Sequence, residues 1–126
     1  MLTNEDINAL GQILNHSWGA SSTVSSPTMS ITTGLSGDTL TVKYVTIVHL
    51  ASELQLREQM KKFEDESIKL VSDYVSNIKK EFKKSAGRAI KMKTKNTTDS
   101  VEMITTSPYT PRKTAYYRRN TVFTCE

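Results

Sequence analysis

The residues with most chemistry to offer are basic. The stretch KKEFKKSAGRAIKMKTK, residues 79–95, carries Lys79, Lys80, Lys83, Lys84, Arg88, Lys91, Lys93 and Lys95, eight of the chain's seventeen cations, beside a single acid. Arg112, Lys113, Arg118 and Arg119 follow, with Tyr116 and Tyr117 among them. Cations at this density can neutralise phosphates, and a neighbouring aromatic ring can stack on an exposed base. A plainer account fits the same residues: cations at a helix C-terminus favour its dipole, and tyrosines in a strand pack in a core. Lys83, Lys84, Arg88, Lys91, Lys93, Lys95, Arg112, Lys113, Tyr116, Arg118 and Arg119 are therefore the candidate contacts to a protein partner or to nucleic acid.

Groups suited to catalysis are few. His16 and His49 have no cysteine or carboxylate at zinc-ligand spacing, and neither completes a triad with a serine in a glycine elbow. GLSGD, residues 34–38, lacks the trailing lysine of a phosphate loop, and no G-x-G-x-x-G occurs. The acidic run Glu64–Glu66 reads as a solvated helix face, because Glu58 with Lys61 and Lys62, and Glu66 with Lys69, stand at helical pairing distance. Asp65 and Asp73 are too far apart to form a compact carboxylate pair. No catalytic, metal or cofactor residue is assigned, and the chain reads as non-enzymatic. A small enzyme whose site is assembled from distant residues is the minor alternative.

The elements that must position these residues follow from spacing. Thr3 can cap a first helix, with Asp6 in the capping-box position, and Ile7, Leu10, Ile13 and Leu14 then share a face that Gly19 ends. Trp18 is expected to pack beside the core. Residues 20–27 form a polar connector. Period-two alternation from Thr28 to Leu35 and from Leu40 to Val48 predicts a hairpin reversing at Gly37, with Val45 and Ile47 covering the second face of its later half. Ser52 caps a long helix from about Glu53 to Lys84 with an apolar stripe from Leu56 to Phe82, and Gly87 ends it. At about 48 Å this helix is longer than so small a domain is wide, which predicts projection, bending or packing on another subunit.

Beyond it, AIKMKTK alternates as a strand, with Lys91, Lys93 and Lys95 outward. NTTD, residues 96–99, is a turn signal before a further strand, SVEMITT, giving a second hairpin. SPYTP, residues 107–111, interrupts. TAYYRRNTVFTC is the last strand, with Tyr117 and Phe123 on one face and Tyr116, Arg118 and Val122 on the other. The expected fold is α+β: two layers, an antiparallel sheet of four or five strands, one long amphipathic helix and a short N-terminal helix.

At 126 residues the chain is read as one domain, 1–126, in which 107–126 could serve as a strand or arm contacting a partner. An apolar fraction of 37% predicts a small core with stability borrowed from a partner. Cys125 is the lone cysteine, so no internal disulfide forms, and it reads as a passive strand residue. NTT, residues 96–98, matches a glycosylation acceptor, but no secretion signal or apolar span accompanies it. A soluble intracellular protein, or one incorporated in a virion-like assembly, is expected. Residues 1–78 carry a net charge of −4 and residues 79–126 of +8, a polarity suited to head-to-tail contact or to an anionic surface. The sequence thus points to a structural or adaptor subunit whose partners are proteins or copies of itself. A basic nucleic-acid-binding module built on 79–95 and 112–119 is the alternative.

Overall fold

The computed structural model describes residues 2–15, 28–50, 52–104 and 113–126. Its elements are α1 (Asn4–Asn15), β1 (Thr28–Ser36), β2 (Thr39–Leu50), α2 (Glu53–Ala86), β3 (Met92–Ile104) and β4 (Lys113–Cys125). The four strands form one antiparallel sheet in the order β1-β2-β4-β3, so the expected α+β architecture holds with four strands. The expectations for His16, Trp18, Gly19, the connector 20–27 and SPYTP fall outside the described residues.

Local chemistry sets the helix ends. The Thr3 N–H donates to Asp6 Oδ2 at 3.0 Å and the Asp6 N–H to Thr3 Oγ1 at 3.2 Å, a reciprocal capping box with Asp in the usual Glu position. Ser52 Oγ accepts from the Gln55 N–H at 3.2 Å, and Gly87, left-handed at φ 76°, donates its N–H to the Lys83 carbonyl at 2.9 Å. The β1–β2 turn places Gly37 at φ 59°, the first central position that a type II′ turn reserves for glycine.

Both helices cover one face of the sheet. On that face lie Leu40, Val42, Tyr44, Val48 and Leu50 of β2, and Ala115, Tyr117, Phe123 and Cys125 of β4. They pack against Leu56, Phe63, Val71, Val75, Ile78 and Phe82 of α2, while Leu10 and Ile13 of α1 join at the side. The buried stripe of α2 runs through a continuous helix of 34 residues, about 51 Å, and the 12- and 13-residue strands beneath it reach about 40 Å. The long helix is therefore matched by long strands, and only its ends overhang.

One sequence expectation is corrected. NTTD is no turn: β3 runs unbroken from Met92 to Ile104, and Asn96 and Asp99 stand opposite Val122 and Arg119. Pairing with β4 overrides the local turn preference, and the irregularity appears instead as a bulge at Lys95. The last strand lies inside the sheet. β4 is hydrogen-bonded to β2 on one side and β3 on the other, so residues 113–125 complete this chain's own sheet.

Candidate interaction surface

Strand alternation and register decide where the basic residues go. On β4 from Thr114 onward, odd-numbered residues face the helices and even-numbered ones the opposite, outer face, so neighbouring Arg118 and Arg119 point to opposite sides. Arg118 Nη1 donates to Glu102 Oε2 at 2.9 Å, and its guanidinium lies 5.5 Å from the Tyr116 ring centroid. Arg119 Nη1 lies 3.0 Å from each carboxylate oxygen of Asp99. Both arginines are thus matched to acids of β3.

Arg88 is likewise engaged. Its Nη2 donates to Asp6 Oδ2, and its guanidinium lies 5.6 Å from the Phe82 ring centroid, so it ties α1 to the end of α2. The Thr3 backbone N–H, helped by Arg88 and opposed by burial, holds the Asp6 carboxyl below its ordinary pKa. These contacts give Arg88 a packing role that its place in a basic run does not reveal.

The candidate lysines are exposed and dispersed. Lys83 and Lys84 sit in the last turn of α2, Lys84 3.5 Å from Glu81 in an exposed pair of the kind that contributes little. Lys91 and Lys93 lie on the outer face beside Thr124 and Glu126, and Lys95 occupies the bulge. Lys93 stands opposite Thr124, six residues along β4 from Arg118, or about 20 Å. Arg112 and the Lys113 side chain lie outside the described residues. Direct β3–β4 pairing therefore spreads the two basic groups along the sheet instead of merging them.

The register also assembles a surface that charge did not signal. On the outer face β2 keeps polar residues at Thr39, Thr41 and Lys43 and then turns apolar at Val45 and Ile47. Tyr116 pairs directly with Ile47 and Arg118 with Val45, so the four form one cross-strand patch, half-buried except for exposed Arg118. Among the described residues no element lies over it. The apolar pair in the later half of β2 was the signal available, and Tyr116 joins only through the β2–β4 register. On the helix side, a groove of about 340 Å³ opens between α2 and the β3–β4 pair, walled by Ile68, Val75, Met92 and Phe123 with Lys79 at its rim.

His49 Nδ1 is 3.1 Å from Thr114 Oγ1, a strand-end contact. Among the described residues no group of three or more His, Cys, Asp or Glu side chains is placed to hold a metal ion, and no described helix is long and apolar enough to cross a membrane. No family model, curated protein or solved structure matches the chain.

Proposed function

We propose that this protein is a non-enzymatic structural or adaptor subunit of a larger protein assembly, of the kind that builds a virion. The observation that carries the reading is the outer-face patch of Val45, Ile47, Tyr116 and Arg118. A solvated antiparallel face keeps polar residues at its outward positions, and β2 abandons that alternation just where Tyr116 and Arg118 stand beside it. Tyrosine and arginine are the residue types that anchor protein interfaces, and here the ring and guanidinium are already stacked, which lowers the entropy lost on docking.

The test is native mass across a concentration series, with capture of partners from the source material, for the wild type and for Ile47→Asp. The wild type is expected in a specific complex or oligomer, and Ile47→Asp, with unchanged circular dichroism, should weaken that assembly at least about tenfold. A persistent wild-type monomer that captures nothing would refute the reading.

Nucleic acid is the second reading, and exposed Lys91, Lys93 and Lys95 at one end of β3 are what favours it. The pairing of Arg118 with Glu102 and of Arg119 with Asp99 weighs against it, because those arginines would have to leave acids to meet phosphates. Binding that falls steeply with salt and disappears in Lys91→Glu/Lys93→Glu would establish it.

A further inference from the structure

The outer edge of β3 is extended backbone of thirteen residues that forms no hydrogen bond with any described residue. Lysines and bulges ordinarily guard such an edge against pairing, and β3 has both. Here the bulge also sets a register. Before Lys95, Lys93 lies on the outer face opposite Thr124 and Met92 on the helix face opposite Cys125. After it, Glu102 lies on the outer face opposite Tyr116 and Met103 on the helix face opposite Ala115.

Lay a second β3 antiparallel to the first about a dyad through Thr98, with Lys95 bulged in each copy. Thr98 then meets its own counterpart, Lys93 meets Glu102, and Met92 meets Met103, each with its partner on the same face. Without the bulge the same dyad would set Lys93 against Met103 and put cations opposite thioethers. Charge and apolar character thus become self-complementary only in the register that the bulge creates, and a dyad repeats each contact twice.

We infer that β3 pairs with β3 of a second copy, joining two four-stranded sheets into one of eight with both helix layers on the same side. This rests on the assembly reading above but uses a different surface. Half-buried Met92 and Met103 become covered at the seam, and the groove beside α2 meets its counterpart there.

The experiment uses two charge variants, alone and mixed. Lys93→Glu sets Glu against Glu102 twice, and Glu102→Lys sets Lys against Lys93 twice. Each should dissociate at least about tenfold more readily than wild type in sedimentation equilibrium, with circular dichroism unchanged. An equimolar mixture of the two restores both attractive pairs and should recover a heterodimer near wild-type affinity.

Cysteine pairs check the register. Cross-strand neighbours have Cα atoms about 4.5–5.5 Å apart, within disulfide range, so Thr98→Cys should cross-link on oxidation. Asn96→Cys, about 13 Å from its counterpart, should not, and native Cys125 is buried. If the protein assembles while Thr98→Cys fails to cross-link and the charge variants behave as wild type, this seam is refuted and the assembly reading stands. If the wild type stays monomeric and captures nothing, both fall. Ile47→Asp separates the surfaces, because it should leave the Thr98→Cys cross-link intact.

Discussion

Tyr117 joins the layers, and its substitution gives the sharpest measure of how. The side chain is fully buried on β4, its ring edge-on to Tyr44 of β2 and tilted against Phe63 of α2, with both centroids 6.2 Å away. Its hydroxyl donates to Asp99 Oδ2 on β3 at 3.2 Å. One residue thus touches three other elements, and two substitutions separate its contributions. Tyr117→Phe removes only the hydroxyl. Asp99 keeps Arg119, and with a side chain 36% exposed it can take water in exchange, so the cost should be about 1 kcal/mol, below the usual range for a bond to a charged group. Tyr117→Ala removes the ring and both aromatic pairs from a closed site and should cost about 4 kcal/mol.

Against a total stability of about 5–15 kcal/mol, the first variant stays folded and the second approaches the limit. Urea unfolding followed by far-ultraviolet circular dichroism reads both. With a slope of about 1.5 kcal/mol per molar, the midpoint should fall by roughly 0.7 M for Tyr117→Phe and roughly 2.7 M for Tyr117→Ala. Equal costs for the two variants would mean that the hydroxyl, not the ring, holds the layers. A loss below about 2 kcal/mol for Tyr117→Ala would mean that the site between β4 and α2 is not closed.

Three further outcomes test the frame. Gly87→Ala should cost about 1 kcal/mol in thermal melts through backbone strain alone, because a Cβ built there meets no atom within 4 Å; a neutral result would contradict the left-handed cap. The Asp6 carboxyl is held below its ordinary pKa, chiefly by the Thr3 N–H, so its contribution is complete above about pH 4 and is lost as pH falls through the depressed folded-state value. Asp6→Asn should therefore flatten the acid side of the stability profile, and an unchanged slope would show that Asp6 titrates alike folded and unfolded. Burial pushes the Cys125 thiol from 9.0 up to about 11, so at pH 8 its thiolate is about a hundredfold scarcer in the folded chain, and a thiol reagent should label it at least that much more slowly than in urea. Equal rates would mean that the end of β4 is open.

What the sequence made legible was local. The Thr3–Asp6 capping box, the Gly37 hairpin, the Ser52 and Gly87 caps and the two faces of β4 each depend on residues a few positions apart, and each is found where spacing placed it. What it hid depends on register. NTTD carries turn residues, but its backbone groups find partners on β4, and a strand with partners outweighs a turn preference. Arg118 and Arg119 are neighbours in the chain and so read as one cluster, yet alternation sends them to opposite faces and separate acids. Arg88 belongs to the basic run by position and to Asp6 by contact, a pairing across 82 residues that no local pattern signals.

The length of α2 first suggested assembly, and its meaning changes once the strands are in place. A helix of about 51 Å over a short sheet would leave a half-apolar rod for a neighbour to bury. Over strands of about 40 Å its stripe is consumed within the chain from Leu56 to Phe82, and only Leu54 at its start and Ile68 over the groove stand out as large exposed apolar side chains. Long strands, however, lengthen the edge as well as the floor. The thirteen residues of β3 that let the sheet match the helix also extend the row of backbone groups that find no partner among the described residues on its outer side. With the helix satisfied within the chain, it is the sheet that carries both proposed contact surfaces.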